Sequence, residues 1–142
     1  MFLSGLPQLS SEEADSLERD FSLEEILSSL QHMVNNKSPG PDGLPKEFYL
    51  RFFDIIGPVL AEVYKLIFQE KHLSRSQSLS YITLLCKDSE HSDLMKNYRA
   101  ISLLNLDYNI LSKSLANRLG CILQNLSSVL HKVVHEDQTC SV

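Results

Sequence analysis

The sequence predicts a helix-rich α+β fold with one β-hairpin and about four to five helices. Apolar residues recur at spacings of three and four in several segments, which is the period of an amphipathic helix. Two short runs, residues 81–86 and 98–103, are instead rich in apolar and β-branched residues, as strands are. The chain has 142 residues, 43% of them hydrophobic, which is enough for one compact domain.

Two helix starts are predicted in the N-terminal part of the chain. Ser10 with Glu13, and Ser22 with Glu25, have the spacing of a capping box, in which a serine accepts a hydrogen bond from the backbone three residues later. Beyond Ser22 an apolar face repeats to position 34, which predicts an amphipathic helix of about three turns. We therefore expect an acidic helical leader, residues 1–36, followed by a second part, residues 37–142.

Residues 38–43 predict a structured turn, because two prolines remove backbone donors and two glycines permit positive φ. Pro45 suits the first turn of the next helix. An apolar and aromatic stripe then runs to residue 68 and is interrupted at Gly57 and Pro58, which predicts two helices or one helix kinked there. Helical spacing favours packing over base stacking, so this stripe, Phe52 included, is predicted to supply most of the core.

A hairpin is predicted from the two strand-like runs, with a polar loop over residues 88–96 between them. From residue 110 leucine and isoleucine recur with helical spacing to roughly residue 130, which predicts the last helix. The expected order is therefore helices, one hairpin and a final helix.

The net charge of −5 is unfavourable for a nucleic-acid binder, because phosphate contacts need Lys and Arg. The charge is unevenly distributed: residues 1–36 hold seven acids against Arg19 alone, whereas residues 37–142 hold twelve Lys and Arg against eleven Asp and Glu. We therefore expect at most weak binding of RNA or DNA.

No stretch approaches the roughly 18 apolar residues of a membrane span, and the start lacks the pattern of a signal peptide. We expect a chain of the cytoplasm or nucleus that does not bind a membrane. Cys86, Cys121 and Cys140 form no C-x-x-C pair, which favours reduced packing thiols. His131 and His135 have the spacing of helical metal ligands, but no Glu follows the first, so no metal site is expected.

Five motifs follow one another along the chain. They are residues 37–49 (KSPGPDGLPKEFY), 82–87 (ITLLCK), 97–105 (NYRAISLLN), 107–119 (DYNILSKSLANRL) and 135–139 (HEDQT). In order and spacing they resemble motifs of the reverse transcriptases carried by LINE-type retrotransposons, the elements without long terminal repeats. The resemblance covers about residues 5–142 and implies the fingers part of such a polymerase.

The resemblance implies a nucleotide site on the hairpin. Arg99 matches the family arginine that contacts the triphosphate of the incoming nucleotide, and Lys87, at the end of the partner strand, is the second candidate. The template is implied to meet Lys113 and Arg118 on the last helix and Gln138 in the last motif. For Lys113 and Arg118 a solvated surface role stays open as the alternative.

The residues for catalysis are missing from these 142 residues. Polymerases transfer phosphoryl groups with two metal ions held by aspartates, which the family places C-terminal to the matched region. The sequence contains no Asp-Asp pair. We expect no catalytic residue, metal site or cofactor in this chain, since Mg²⁺ is needed only by the complete family enzyme.

Three positions depart from the family pattern: Cys86 and Ala100 stand for prolines, and Cys140 stands for a glycine. We interpret the chain as a truncated, retrotransposon-derived reverse transcriptase fragment that lacks palm and thumb and is inactive alone. Three alternatives stay open: an interaction module that binds a protein partner through an exposed apolar face, a weak nucleic-acid-binding remnant, and a chain without a selected function.

Overall fold

The computed structural model describes residues 9–87 and 94–139, and the side chains of these residues as far as residue 124. It confirms the helix-rich α+β fold with one antiparallel hairpin. The described residues form α1 Ser11–Glu18, α2 Leu23–Gln31, α3 Lys46–Arg51, α4 Phe53–Glu70, β1 Ser80–Cys86, β2 Tyr98–Leu104 and α5 Leu106–Thr139. A single 3-10 turn, Met95–Asn97, leads into β2.

The chain divides into two compact units. One comprises Met1–Arg19 with Lys113–Val142, and the other comprises Asp20–Ser112. The second unit contains α2, α3, α4, the hairpin and the first residues of α5. Helix α2, which the sequence analysis assigned to the leader, thus lies in the second unit, and the predicted boundary after residue 36 remains a prediction.

Both predicted helix starts are confirmed. The Ser10 hydroxyl accepts the N–H of Glu13 at 3.2 Å and the Glu13 carboxylate accepts the N–H of Ser10 at 3.0 Å, which completes the capping box of α1. At α2 the Ser22 hydroxyl accepts the N–H of Glu25 at 3.2 Å. Each hydroxyl satisfies a donor that the first helical turn leaves without a partner.

The end of α2 is held by the helix that follows it in the chain. The buried ammonium of Lys46 donates to the carbonyl of Gln31 at 2.9 Å, to the amide oxygen of Asn35 at 2.7 Å and to the carbonyl of Met33. A lysine in this position satisfies carbonyls that a helix C-terminus leaves free. Helix α2 therefore stops at Gln31, and the apolar face predicted to reach position 34 ends earlier.

The core of the second unit joins α2, α3, α4 and the start of α5. Its buried hydrophobic residues are Phe21, Ile26, Leu30, Tyr49, Leu60, Tyr64, Ile110 and Leu111. Phe21 and Tyr64 pack edge to face with ring centroids 5.8 Å apart. The fully buried Tyr64 donates its hydroxyl proton to the carbonyl of Asp107 at 2.7 Å, so its polar end is satisfied inside the core.

Burial raises the pKa of both core tyrosines. The pKa of Tyr49 rises to about 12, mainly through burial and further through the carboxylates of Asp107 and Asp42. Burial also raises the pKa of Tyr64. Unfolded tyrosines ionise near pH 10, so both residues favour the folded state below that pH and lose this contribution as the pH rises further.

The helix break in the aromatic stripe lies at Phe52, not at Gly57 and Pro58. Helix α4 runs unbroken through Pro58, which lies in its second turn, so the missing N–H removes one hydrogen bond near the helix start. Phe52 has φ −110° and ψ 21° and separates α3 from α4. The prediction that Phe52 lies in the core is wrong: the break changes the register of the stripe, and Phe52 is 44% exposed with its ring 5.0 Å from that of Phe48.

We expect a truncation of Leu30 to be far more costly than one of Ile55. Leu30 is fully buried, so Leu30→Ala should lower the free energy of unfolding by about 2–5 kcal/mol. Ile55 is 72% exposed, so Ile55→Ala should change it by about 0.5 kcal/mol or less. Urea denaturation followed by circular dichroism measures both, and equal losses would contradict this assignment of the core.

Candidate nucleotide and template site

The two hairpin cations predicted to meet a nucleotide are brought close together. The strands pair without a break from Ser80↔Leu104 to Cys86↔Tyr98, and this register places Leu85 opposite Arg99. The N–H of Lys87 then donates to the carbonyl of Asn97 at 2.7 Å. Because side chains alternate between the faces of a strand, Lys87 and Arg99 lie on the same face as diagonal neighbours, about 7–8 Å apart at the backbone.

Both cations are exposed. In residues 9–87 and 94–139, no hydrogen bond or ion pair involves the side chain of Lys87 or Arg99. Lys96, in the turn before β2, is exposed as well. The hairpin thus carries positive charge that is open to an anionic ligand.

The turn of the first motif is built on two glycines. Gly43 adopts φ +72°, the left-handed region that glycine enters without strain, and its N–H donates to the carbonyl of Gly40 at 3.1 Å. The Asp42 carboxylate accepts the N–H of Leu44 at 3.0 Å. This geometry confirms the predicted structured turn.

The turn packs directly against the end of β2, which joins two motifs sixty positions apart in the sequence. A Cβ atom at Gly40 would lie 2.5 Å from the backbone nitrogen of Asn105 and 2.5 Å from the carbonyl carbon of Leu104. Side chains are not tolerated at such distances, so this contact requires glycine. The carboxamide oxygen of Asn105 also accepts the N–H of Asp42 at 3.1 Å.

Sequence reasoning did not single out Asn105, although this residue joins four segments. Its carboxamide nitrogen donates to the carbonyl of Ser76 at 3.1 Å, in the loop before β1. Its own carbonyl accepts the N–H of Asn109 at 3.2 Å in the first turn of α5. Asn105 is only 4% exposed. The local sequence carries no signal for this role, because an asparagine directly before a helix is a common N-cap residue.

Of the two helical cations predicted to meet the template, only Lys113 is exposed. Arg118 is 9% exposed, and its guanidinium donates to the carbonyls of Leu17 at 3.0 Å and Arg19 at 2.7 Å. These carbonyls belong to the end of α1 and the residue after it, within the same unit. Arg118 therefore fastens α1 to α5, and a phosphate can reach it only after these bonds break.

The remaining predicted positions lie where side chains are not described. Gln138, His131 and His135 fall on α5, but their side chains lie outside the described residues. Cys140 also lies outside them. Within the described ranges no three His, Cys, Asp or Glu side chains converge on a common point, and no helix there combines the length and apolarity needed to cross a bilayer.

A comparison with known proteins finds a transposon relative. The chain is 38% identical over 138 residues to the "Transposon TX1 uncharacterized 149 kDa protein" of Xenopus laevis. The match covers 97% of this chain and 10% of that protein, so the chain spans about a tenth of the length of its relative. The similarity supports a transposon-derived origin of the chain. No model of a protein family matches it.

Substitutions at Arg118 and Lys113 are expected to affect different properties: the first should lower stability and the second should lower affinity for RNA. Arg118→Ala removes charged hydrogen bonds to two carbonyls, so the free energy of unfolding should fall by about 1.5–3 kcal/mol. Lys113→Ala should leave stability within about 0.5 kcal/mol and weaken binding of single-stranded RNA. Denaturation curves and fluorescence polarisation with labelled RNA measure the two effects. A stable Arg118→Ala variant with reduced RNA affinity would contradict this assignment.

Proposed function

We propose that the hairpin β1–β2 is the nucleotide-binding hairpin of an RNA-directed DNA polymerase, and that the chain corresponds to the fingers of a LINE-type reverse transcriptase. The observation that carries the proposal is the pair of exposed cations, Arg99 and Lys87, on one face of a regular hairpin. The transposon relative, matched over 97% of the chain, supports the same origin.

The chemistry of the two cations suits a triphosphate. Arg99 offers a planar set of donors that can hold two oxygens of one phosphate at once, whereas Lys87 offers a compact charge that can neutralise a neighbouring phosphate. Arg99 stands on a paired strand, and Lys87 directly follows the other strand with its N–H bonded to the carbonyl of Asn97, so both backbone positions vary less than those of a loop. The hairpin therefore orients a charged ligand as well as attracting it.

Mg²⁺ is the metal that polymerases of this class use to transfer the phosphoryl group. The residues present do not fit it, because within the described ranges no cluster of three His, Cys, Asp or Glu side chains forms. We assign this chain the binding and orientation of the nucleotide and no step of phosphoryl transfer.

Contact with a template would involve few cations of α5. Arg118 is engaged with backbone carbonyls, which leaves Lys113 as the exposed helical cation of the predicted pair. Each phosphate contact on a single strand contributes a salt slope of about −0.7. Few such contacts imply weak RNA binding with a shallow dependence on salt.

We expect a deoxynucleoside triphosphate to bind through the hairpin. In a titration without divalent ions, backbone amide signals of β1 and β2 should shift in nuclear magnetic resonance spectra. Hydrogen bonds to charged groups contribute about 1.5–3 kcal/mol, so Arg99→Ala should weaken binding about tenfold or more. Lys87→Ala should have a smaller effect.

Arg51→Ala is the matched control for that titration, because Arg51 is an exposed arginine that belongs to α3 and not to the hairpin. It should bind the triphosphate as tightly as the unaltered chain. Equal weakening by Arg51→Ala and Arg99→Ala would mean that the chain attracts anions only through its overall charge, and the proposal would fail.

A second candidate function is a protein-interaction module. Phe52, Ile55 and Val59 are 44%, 72% and 59% exposed on neighbouring turns of the chain. An open groove of about 240 Å³ is lined by Phe48, Phe52, Ile55 and Ile56. Such apolar surface is unusual on a soluble monomer and favours contact with another protein surface. A second copy of this chain presents the same apolar surface, which is the requirement for a two-fold symmetric contact, so we propose a second copy as the partner.

Self-association is the expected result of this exposed surface. Sedimentation velocity at micromolar concentration should detect dimers or larger species of the unaltered chain. The double change Ile55→Lys with Val59→Lys should shift the chain to monomers, whereas Gln69→Lys, at an exposed polar position of α4, should not. A monomeric unaltered chain would remove this candidate.

A further inference from the structure

We propose that Asn105 is a positioning residue that fixes the direction of the hairpin relative to the rest of its unit, and that Gly40 makes this possible. The identity of the ligand that the hairpin would position, a nucleoside triphosphate, rests on the proposed function. That Asn105 holds the hairpin is a separate statement and is tested separately.

Most of the hairpin is exposed. Residues 81–86 of β1 and 99–102 of β2 are exposed, so neither face of the hairpin is covered along most of its length. An isolated two-stranded hairpin is at best marginally stable in water. Tyr98 is half-buried at the far end, and Leu103 and Leu104 are half-buried at the open end. Asn105, directly after β2, is buried, so the attachment of the hairpin to the core of its unit lies at the open end.

The Asn105 carboxamide ties both strands together at the open end. Asn105 follows β2 directly, and its carboxamide nitrogen donates to the carbonyl of Ser76 at 3.1 Å, four residues before β1 begins. The loop that carries Ser76 is itself ordered, because the buried Gln77 accepts the N–H of Ser74 at 3.1 Å and its hydroxyl at 2.9 Å. If one strand rotated relative to the other, the hydrogen bond between Asn105 and Ser76 would break.

The opposite side of the Asn105 carboxamide ties the hairpin to the first motif. Its oxygen accepts the N–H of Asp42 at 3.1 Å. Gly40 packs so closely on Leu104 and Asn105 that a Cβ atom there would lie 2.5 Å from their backbone atoms. The carboxamide thus uses its oxygen on the turn and its nitrogen on the loop, and no side chain of another type supplies both groups at this length.

The length of the hairpin makes this attachment important for Arg99. Arg99 lies six residues along the chain from Asn105, about 20 Å at the rise of a strand, so a turn of about 10° at the base would move it by roughly 3.5 Å. A displacement of that size removes a hydrogen bond to a phosphate oxygen. Loss of the Asn105 bonds should therefore weaken triphosphate binding even though Asn105 does not reach the ligand.

The distance between two spin labels tests the positioning role without any ligand. In a chain with Cys121→Ser and Cys140→Ser, one nitroxide is attached to the exposed Cys86 at the far end of β1 and the other to Gln69→Cys on α4. Electron paramagnetic resonance should give a narrow distance distribution. Asn105→Ala should broaden it, and so should Gly40→Ala, which forces the turn away from Asn105.

Two further variants separate positioning from general loosening. Asn105→Asp keeps the oxygen that accepts from Asp42 but faces the Ser76 carbonyl with a second oxygen, so it should broaden the distribution as well. Leu30→Ala destabilises the core without touching the hairpin and should leave the distribution narrow. An unchanged distribution in the Asn105 variants, or equal broadening in Leu30→Ala, would overturn the proposal.

Triphosphate affinity connects the positioning role to the site. Asn105→Ala should weaken binding about tenfold, as Arg99→Ala does, and should add little to Arg99→Ala in the double variant. If Arg99→Ala weakens triphosphate binding but Asn105→Ala broadens the distances without changing the affinity, the role of Asn105 at the site would be overturned. If Arg99→Ala has no effect, the proposed function fails, while the spin-label distances still decide whether Asn105 holds the hairpin.

Discussion

The contact between Gly40 and Asn105 is the constraint on which the arrangement of the second unit depends. It brings together a turn near residue 40, the end of β2, the loop before β1 and the start of α5. Nearby, Tyr64 binds the carbonyl of Asp107 from inside the core, so the start of α5 is held on two sides. The specificity comes from the hydrogen bonds of the Asn105 carboxamide, which is buried and therefore needs partners for both its oxygen and its nitrogen.

The hairpin shows why such an anchor is needed. A cation that must reach a charged ligand has to stand away from the core, and the strands that carry it then lose the burial that usually stabilises a sheet. Here the backbone ladder keeps the hairpin regular over seven residue pairs, while its open end supplies the attachment. The open end of the hairpin therefore provides its attachment, whereas the exposed strands carry the cation away from the core.

Much of the fold was predictable because its signals are local. The two serine caps, the turn at residues 38–43 and the two strands depend on neighbours within a few positions. The break at Phe52 was not predictable in this way, since Gly57 and Pro58 are the stronger local signals and yet lie within α4. Periodicity identified an apolar stripe but not which of its members face the core, because that depends on where the helix is interrupted.

The residues of the candidate site also differ in whether local sequence determines their environment. The exposure of Arg99 and Lys87 on one face follows from strand alternation and was within reach of the sequence. The burial of Arg118 was not, because its partners are carbonyls about a hundred positions earlier, and carbonyls leave no mark in a sequence. The role of Asn105 escaped for the same reason: two of its partners are backbone groups of distant turns.

Cys86 and Ala100 stand where the family pattern has prolines, and the pairing of the two strands shows what this difference does to the hairpin. Both residues lie in the hairpin: Ala100 pairs with Leu84 inside the unbroken ladder, and Cys86 pairs with Tyr98 at its end. A proline at such a position has no N–H for the ladder, so a residue with an N–H is compatible with a paired strand. The loss of these prolines therefore does not disable the hairpin backbone.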